Sequence, residues 1–356
     1  MKAWTLLASS LLAGLLIVPA ADSTACAKTA SCQRLPNCDD SCSAACSGRS
    51  SCRSSCRSSC CQSSGVYAGV EATFLQPYNT NSNSLVYQNN TTGVTFLADP
   101  LVDFDTLDAA PRIWLGYQGQ CWGVRGRYWN FDAERFGDGF TSVGGNQFRS
   151  VQAFNFFSAK TGDLEGTRRF QFFNWEGDLF LGARWAELAH EQRMNIQTSV
   201  INSQSIAQLV RMRKDGVGLT FGFDGRRPIG NQGLALKLNA RGSVLWGRHE
   251  SYGYQDIMFD ADRLVQAVRV RDDCTTMTIA EIQAGIEWSR KIECFRAEVF
   301  THVVAEYQWW RNSGGTDWLA QTDTFAAGGA SGTYRLSPLG SDADLVGLAW
   351  AIGFRR

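Results

Sequence analysis

The chain has 356 residues, 34 basic and 34 acidic side chains and no net charge. A neutral chain with no basic cluster on an ordered surface offers no footprint for nucleic acid, and three His are thin material for a His-based metal centre or hydrolase. Mean hydropathy is slightly negative and no later segment holds 18 consecutive apolar residues, so no α-helical membrane span is predicted.

Residues 1–20 read as a secretory signal peptide. Lys2 supplies the positive start, Leu6 to Val18 the apolar core, and Val18-Pro19-Ala20 the small residues for cleavage after Ala20. Residues 21–64 form a Cys-rich, low-complexity segment with nine of the twelve Cys. Cys38, Cys42 and Cys46 are spaced by four, as are Cys52, Cys56 and Cys60, with Cys61 directly after. The remainder is mostly Ser, Ala, Arg and Asp, which cannot bury enough surface to fold alone, so the segment is predicted to be disordered. In an exported protein these Cys point to disulfides or to cross-links between chains, since nine is odd. Unstructured free thiols come second and metal binding last, since the spacing does not match paired zinc ligands, and no metal site is predicted.

From Gly65 onward the chain alternates with period 2, the mark of strands with two unlike faces. In Val66–Phe74 one face is Val66, Ala68, Val70, Ala72 and Phe74, and Glu71 lies on the other. Ile113, Leu115 and Tyr117 alternate with Arg112 and Trp114, and Trp122, Val124 and Tyr128 with Arg125 and Arg127. Leu179, Leu181 and Trp185 alternate with Arg184; Val217, Leu219 and Phe221 alternate with Gly, Thr and Asp224. Leu234 to Trp246 alternates with Lys237 and Arg241, and Ile282, Ile286 and Trp288 with Glu281 and Glu287. Phe295 to Trp309 is the longest example: Val299, Val303 and Tyr307 on one face, and Arg296, Glu298, His302 and Glu306 on the other. The last strand sets Val346, Leu348, Trp350, Ile352 and Phe354 against Gly and Ala.

Weaker candidates lie near 92–98, 149–158, 168–174 and 264–272. The set predicts an all-β, antiparallel, up-and-down transmembrane β-barrel over 65–356. About twelve strands are expected, with ten or eight as alternatives, because bacterial barrels use even numbers. Connections such as Tyr117–Cys121 and Ser289-Arg290-Lys291 read as periplasmic turns, and 78–108, 132–148, 250–262 and 311–342 as long outer loops. An Arg or Lys facing lipid at mid-membrane costs ~2–4 kcal/mol. The charged face must therefore line the lumen: Glu71, Arg125, Arg127, Arg184, Lys237, Arg241, Glu281, Glu287, Arg296, Glu298, His302 and Glu306. Basic residues cluster in the middle strands and acidic ones later, which predicts a transverse field across the lumen.

The opening Gly65-Val-Tyr-Ala-Gly-Val-Glu-Ala-Thr-Phe-Leu, the stretch Trp175-Glu-Gly-Asp-Leu-Phe-Leu-Gly-Ala-Arg-Trp-Ala-Glu and the terminal strand resemble the pore-forming major outer membrane proteins of the Legionella type, also abundant in planctomycete-like bacteria. The resemblance implies an outer-membrane barrel acting as a pore. The Cys comb at 26–61 and the Arg355-Arg356 extension beyond the terminal aromatic depart from that pattern.

No catalytic constellation can be assembled. His190, His249 and His302 have no partner by spacing, and Gly216-Val-Gly-Leu-Thr-Phe-Gly is a Gly-alternating strand rather than a dinucleotide loop. Asp99, Asp103, Asp105 and Asp108 read as a solvated acidic loop before a calcium site, and a Cys274–Cys294 bridge stays open. No cofactor and no enzymatic activity are expected. Three functions follow for a bacterial outer-membrane location: a passive pore for small solutes first, a plugged structural anchor cross-linked through its Cys segment second, and an adhesin or receptor using the outer loops third. The partners are then outer-membrane lipid, small solutes, and a disulfide-linked second copy or envelope protein.

Overall fold

A computed structural model describes residues 64–78, 85–89, 95–98, 104–143, 147–198, 204–230, 232–259, 262–292, 297–313, 322–327, 330–335 and 342–356. Signal peptide and Cys segment, with Cys38, Cys42, Cys46, Cys52, Cys56, Cys60 and Cys61, lie outside the described residues, as do Arg296, Cys294, Asp99 and Asp103.

Ten strands close a barrel. They are β1 (Gly65–Tyr78), β4 (Asp108–Gln118), β5 (Trp122–Val143), β6 (Gln147–Phe172), β7 (Trp175–Thr198), β8 (Gln204–Ile229), β9 (Leu234–Phe259), β10 (Asp262–Ile292), β11 (Ala297–Ser313) and β14 (Ala343–Arg355). Each pairs antiparallel with its sequence neighbour in the barrel, and β14 pairs with β1 to close it. Four short strands, β2 (Leu85–Asn89), β3 (Thr95–Ala98), β12 (Thr322–Ala327) and β13 (Ala330–Arg335), form a separate sheet in the order β12-β13-β2-β3.

The count is ten rather than the preferred twelve, and the reason is strand length. Residues 149–158 and 168–174 belong to one strand of 26 residues, and 264–272 continues into 281–288 within one of 31. The stretch 92–98 contributes β3, outside the barrel. Two expected outer loops, 132–148 and 250–262, are mostly strand, paired in register across β5–β6 and β9–β10. A spanning strand needs ~9–11 residues. A 26-residue strand at ~3.3 Å per residue, tilted by ~40°, rises roughly 65 Å against an apolar band of ~25 Å. The wall from β5 to β10 therefore projects well past the membrane. The other four strands, at 11 to 17 residues, rise only roughly 28–43 Å by the same measure.

Short turns gather at one end of the barrel. The link between β6 and β7 is a two-residue turn in which Phe173 and Asn174 both have positive φ, 44° and 66°. Such a turn matches the twist of the flanking strands. An aromatic residue rarely adopts that backbone, so Phe173 holds local strain.

Alternation along each strand gives an apolar belt outside. Val70, Val124, Leu181, Leu219, Leu236, Ile286, Val303 and Leu348 are all exposed. Trp122 and Trp288 stand toward the short-turn end, and Tyr78, Tyr128 and Trp246 toward the other. On β8 the outward face passes from Phe221, Leu219 and Val217 to Asp215 and Arg213; on β9 Trp246 is followed by Arg248. The belt stops where outward ion pairs begin, as lipid gives way to water.

Candidate functional site: the barrel interior

The inward faces carry two layers. At belt level the layer is charged. Arg184, with a fully buried side chain, donates to Asp163 at 2.6 and 3.0 Å and to Glu281 at 2.5 Å. Arg241 bonds Glu165 and reaches Asp163 at 3.2 Å. Arg125 donates to Glu165 at 2.7 Å and Arg127 to Glu281 at 3.0 Å. Arg112 bridges Glu71 and Glu306, the latter at 2.5 and 2.9 Å. Nearer the short turns, Lys237 pairs with Asp224, Arg226 with Glu298 at 3.2 Å, and Arg355 with Glu287 at 2.5 Å and Glu298 at 3.1 Å. Arg355, which extends past the terminal aromatic, is thus the inward-facing last residue of β14.

Aromatic rings fill the spaces between guanidinium groups. Phe180 lies under both Arg241 and Arg125, at 4.4 and 4.8 Å from its centroid. His302 stacks on Trp114 and Phe300, both at 6.3 Å, and its Nε2 meets Glu71 Oε2 at 3.0 Å. On β1 and β4, Gly116 leaves the room that the Tyr67 ring occupies; a Cβ there would collide with it.

Beyond this layer, toward the long-strand end, the interior is apolar. Trp129, Phe131, Phe157, Leu188, Leu245, Ile279 and Trp310 are each no more than 1 % exposed. Trp129 stacks on Phe131 at 5.8 Å and donates through Nε1 to Thr73 Oγ1 at 3.1 Å. Phe104, from the connection before β4, packs on Phe157 at 6.2 Å. A polar group sits beside this plug: His190 Nε2 donates to Asn155 Oδ1 at 2.7 Å. His190 pairs across the strands with Met212, next to the outward Arg213, and so lies beyond the lipid-facing belt. Burial pushes its pKa down to about 4. His249 and Ser251, also buried, are 2.8 Å apart.

Of the twelve residues predicted to line the lumen, eleven are described, and all eleven take part in the interior network. Arg296 lies outside the described residues. Sequence reasoning missed Asp163 and Glu165 because their outward neighbours are Gly162, Leu164 and Gly166, which give no apolar contrast. Arg112, Asp224 and Arg226 stand on already legible polar faces.

The predicted transverse field is overturned. Acidic Asp163 and Glu165 on β6 and Asp224 on β8 sit among the basic strands and pair with Arg184, Arg241, Arg125 and Lys237. The Cys274–Cys294 bridge is also excluded. Cys274 is a free, exposed thiol within β10, roughly 60 Å at ~3.3 Å per residue from the end of that strand, and two further residues cannot return across that span. Asp105 and Asp108 pair with Arg135, at 3.6 and 2.8 Å. Among the described residues no cluster of three His, Cys, Asp or Glu side chains is placed to hold a metal ion.

A closed barrel with an apolar exterior and a charged, hydrogen-bonded interior is an outer-membrane β-barrel. No protein-family model and no curated protein matches the chain. Solved structures that align with the chain include outer-membrane proteins. The outer membrane protease OmpT of Escherichia coli aligns with TM-score 0.37 and 11% identity over 82% of this chain and 96% of that one. A major outer membrane protein of Thermus thermophilus aligns with TM-score 0.28 and 10% identity over 83% and 100%. The toluene transporter TodX of Pseudomonas putida aligns with TM-score 0.22 and 5% identity over 82% and 89%. The fold assignment rests on this chain's own closed sheet and belt.

Proposed function

We propose that the protein is a structural envelope protein: a plugged barrel that anchors a tall outer wall and carries, ahead of β1, a Cys-rich segment that cross-links it to neighbours. The observation behind this reading is the filled interior. Arg184, Glu165 and Arg241 at belt level have side chains no more than 1 % exposed, and Trp129, Phe131, Phe157 and Trp310 close the next layer. A solute-conducting lumen needs wetted walls. Two measurements test the reading. Folded protein in a planar bilayer is expected to give no conductance steps; regular steps would overturn the plugged barrel. Isolated envelopes run without reductant are expected to show species above the monomer that collapse with reductant; monomer in both lanes would remove the cross-linking role.

A passive pore for small solutes, which the resemblance to Legionella-type major outer membrane proteins favours, is the second reading. The observation on its side is a cavity of about 160 Å³ among the charges near the short turns. It requires the Arg112, Arg184 and Arg241 pairs to part.

A further inference from the structure

The charge network leaves some of its buried polar atoms without partners, and several of these line the same cavity. Among the described residues, Tyr67 Oη, Gln118 Nε2, Asp178 Oδ1 and His302 Nδ1 have no hydrogen-bond partner, and all four residues line it. Buried polar groups are normally satisfied, so such a convergence calls for a partner from outside the protein. At Arg184, by contrast, Nε, Nη1 and Nη2 each donate to Asp163 or Glu281.

The cavity enters from the short-turn end. Gly177, Arg226 and Arg355, all at strand ends on that side, form its rim; Arg112 and Gln283 lie deeper. It is therefore reachable without crossing the apolar plug. At about 160 Å³ it holds a handful of non-hydrogen atoms, or roughly five waters at about 30 Å³ each.

The unpartnered atoms differ in chemistry. Gln118 is 3 % exposed; its Oε1 already accepts from Thr167 Oγ1 at 2.8 Å, which leaves the amide N–H groups as donors. Asp178 Oδ1 is an acceptor. His302 Nε2 meets Glu71 Oε2 at 3.0 Å, and its Nδ1 is left to donate or accept according to the ring's protonation. The Tyr67 hydroxyl can act either way. Arg112 Nε and Arg241 Nε add guanidinium donors, and Glu287 Oε2 a second carboxylate acceptor, on residues lining the same cavity. Donors from an amide and guanidinium groups beside carboxylate acceptors match a molecule with an ammonium group next to a carboxylate.

We propose that this cavity binds a small zwitterion of the amino-acid class, its ammonium on Asp178 and the Tyr67 hydroxyl and its carboxylate on the Gln118 amide. The site does not depend on the anchoring role, since its reading involves no conductance and no cross-link.

The test is calorimetric titration of the full, folded protein in detergent with glycine, methylammonium chloride and sodium acetate. Glycine is expected to bind saturably, methylammonium at least tenfold more weakly, and acetate with no heat beyond a sodium chloride control. Asp178→Asn and the double variant Tyr67→Phe/Gln118→Met are each expected to weaken glycine binding at least tenfold while keeping the heat-modifiable gel mobility of a folded barrel. If glycine gives no more heat than sodium chloride, the cavity holds water only and the proposal is overturned. Methylammonium or acetate binding as tightly as glycine in the wild-type protein overturns it equally, and needs no variant to fold. So does unchanged glycine binding in both folded variants.

Discussion

Replacing Arg184 with Met separates a sealed interior from a wet one. Arg184 has a fully buried side chain and three hydrogen bonds to Asp163 and Glu281, all within 3.0 Å. Methionine keeps much of the volume and removes the charge. Asp163 would then keep Arg241 at 3.2 Å, and Glu281 would keep Arg127 at 3.0 Å, so each carboxylate loses its closest partner without becoming wholly bare. Removing one partner of a buried pair costs ~3–5 kcal/mol, because the remaining charge stays out of water. The same change on an exposed pair is nearly free. Arg213, half-exposed and 2.7 Å from Glu187, is the control, with an expected cost below ~1 kcal/mol for Arg213→Ala. Urea unfolding in lipid vesicles, followed by tryptophan fluorescence, reads both. A cost under ~1 kcal/mol for Arg184→Met would mean that water reaches Asp163 and Glu281, and would refute the sealed network together with the argument against a pore.

Other consequences can be measured on the same preparation. His190 is held neutral by burial, with its pKa lowered from 6.5 to about 4. Its contribution is therefore complete above pH 6.5, is lost as pH falls from there toward 4, and is constant below; the total is about 3 kcal/mol. His190→Gln should flatten the fall in urea midpoint between pH 7 and pH 4, and an unchanged slope would place the proton uptake elsewhere. Trp310→Ala, at a fully buried position of the plug, should cost ~3–5 kcal/mol in the same unfolding assay. Leu181, 63 % exposed on the belt, should tolerate Ala but lose ~2–4 kcal/mol on substitution by Arg; equal stability would show that this face does not meet hydrocarbon.

How much of this was legible beforehand varies along the chain. The belt was: the alternation of Val346, Leu348, Trp350, Ile352 and Phe354, and of Leu234 to Trp246, reads directly, because a strand of period 2 in lipid must keep charge off one face. The inward placement of Glu71, Arg184, Glu281 and Glu306 follows from the same cost. The upper wall was not. Above the membrane both faces can be polar or mixed, so 132–148 and 250–262 resemble loops in sequence although their described residues are paired strand.

Periodicity along the chain suffices for the barrel, the position of its lipid-facing band and the charges that turn inward, since all three depend on a two-residue period and on the solvent meeting each face. The strand number, the height of the β5 to β10 wall and the fate of the lumen emerge only once the chain is folded. Those depend on which strands become neighbours and on which side chains meet across the barrel. Arg184 meets Glu281 from 97 residues away and Arg112 meets Glu306 from 194, separations at which no local pattern records whether two opposite charges will touch or be parted by water.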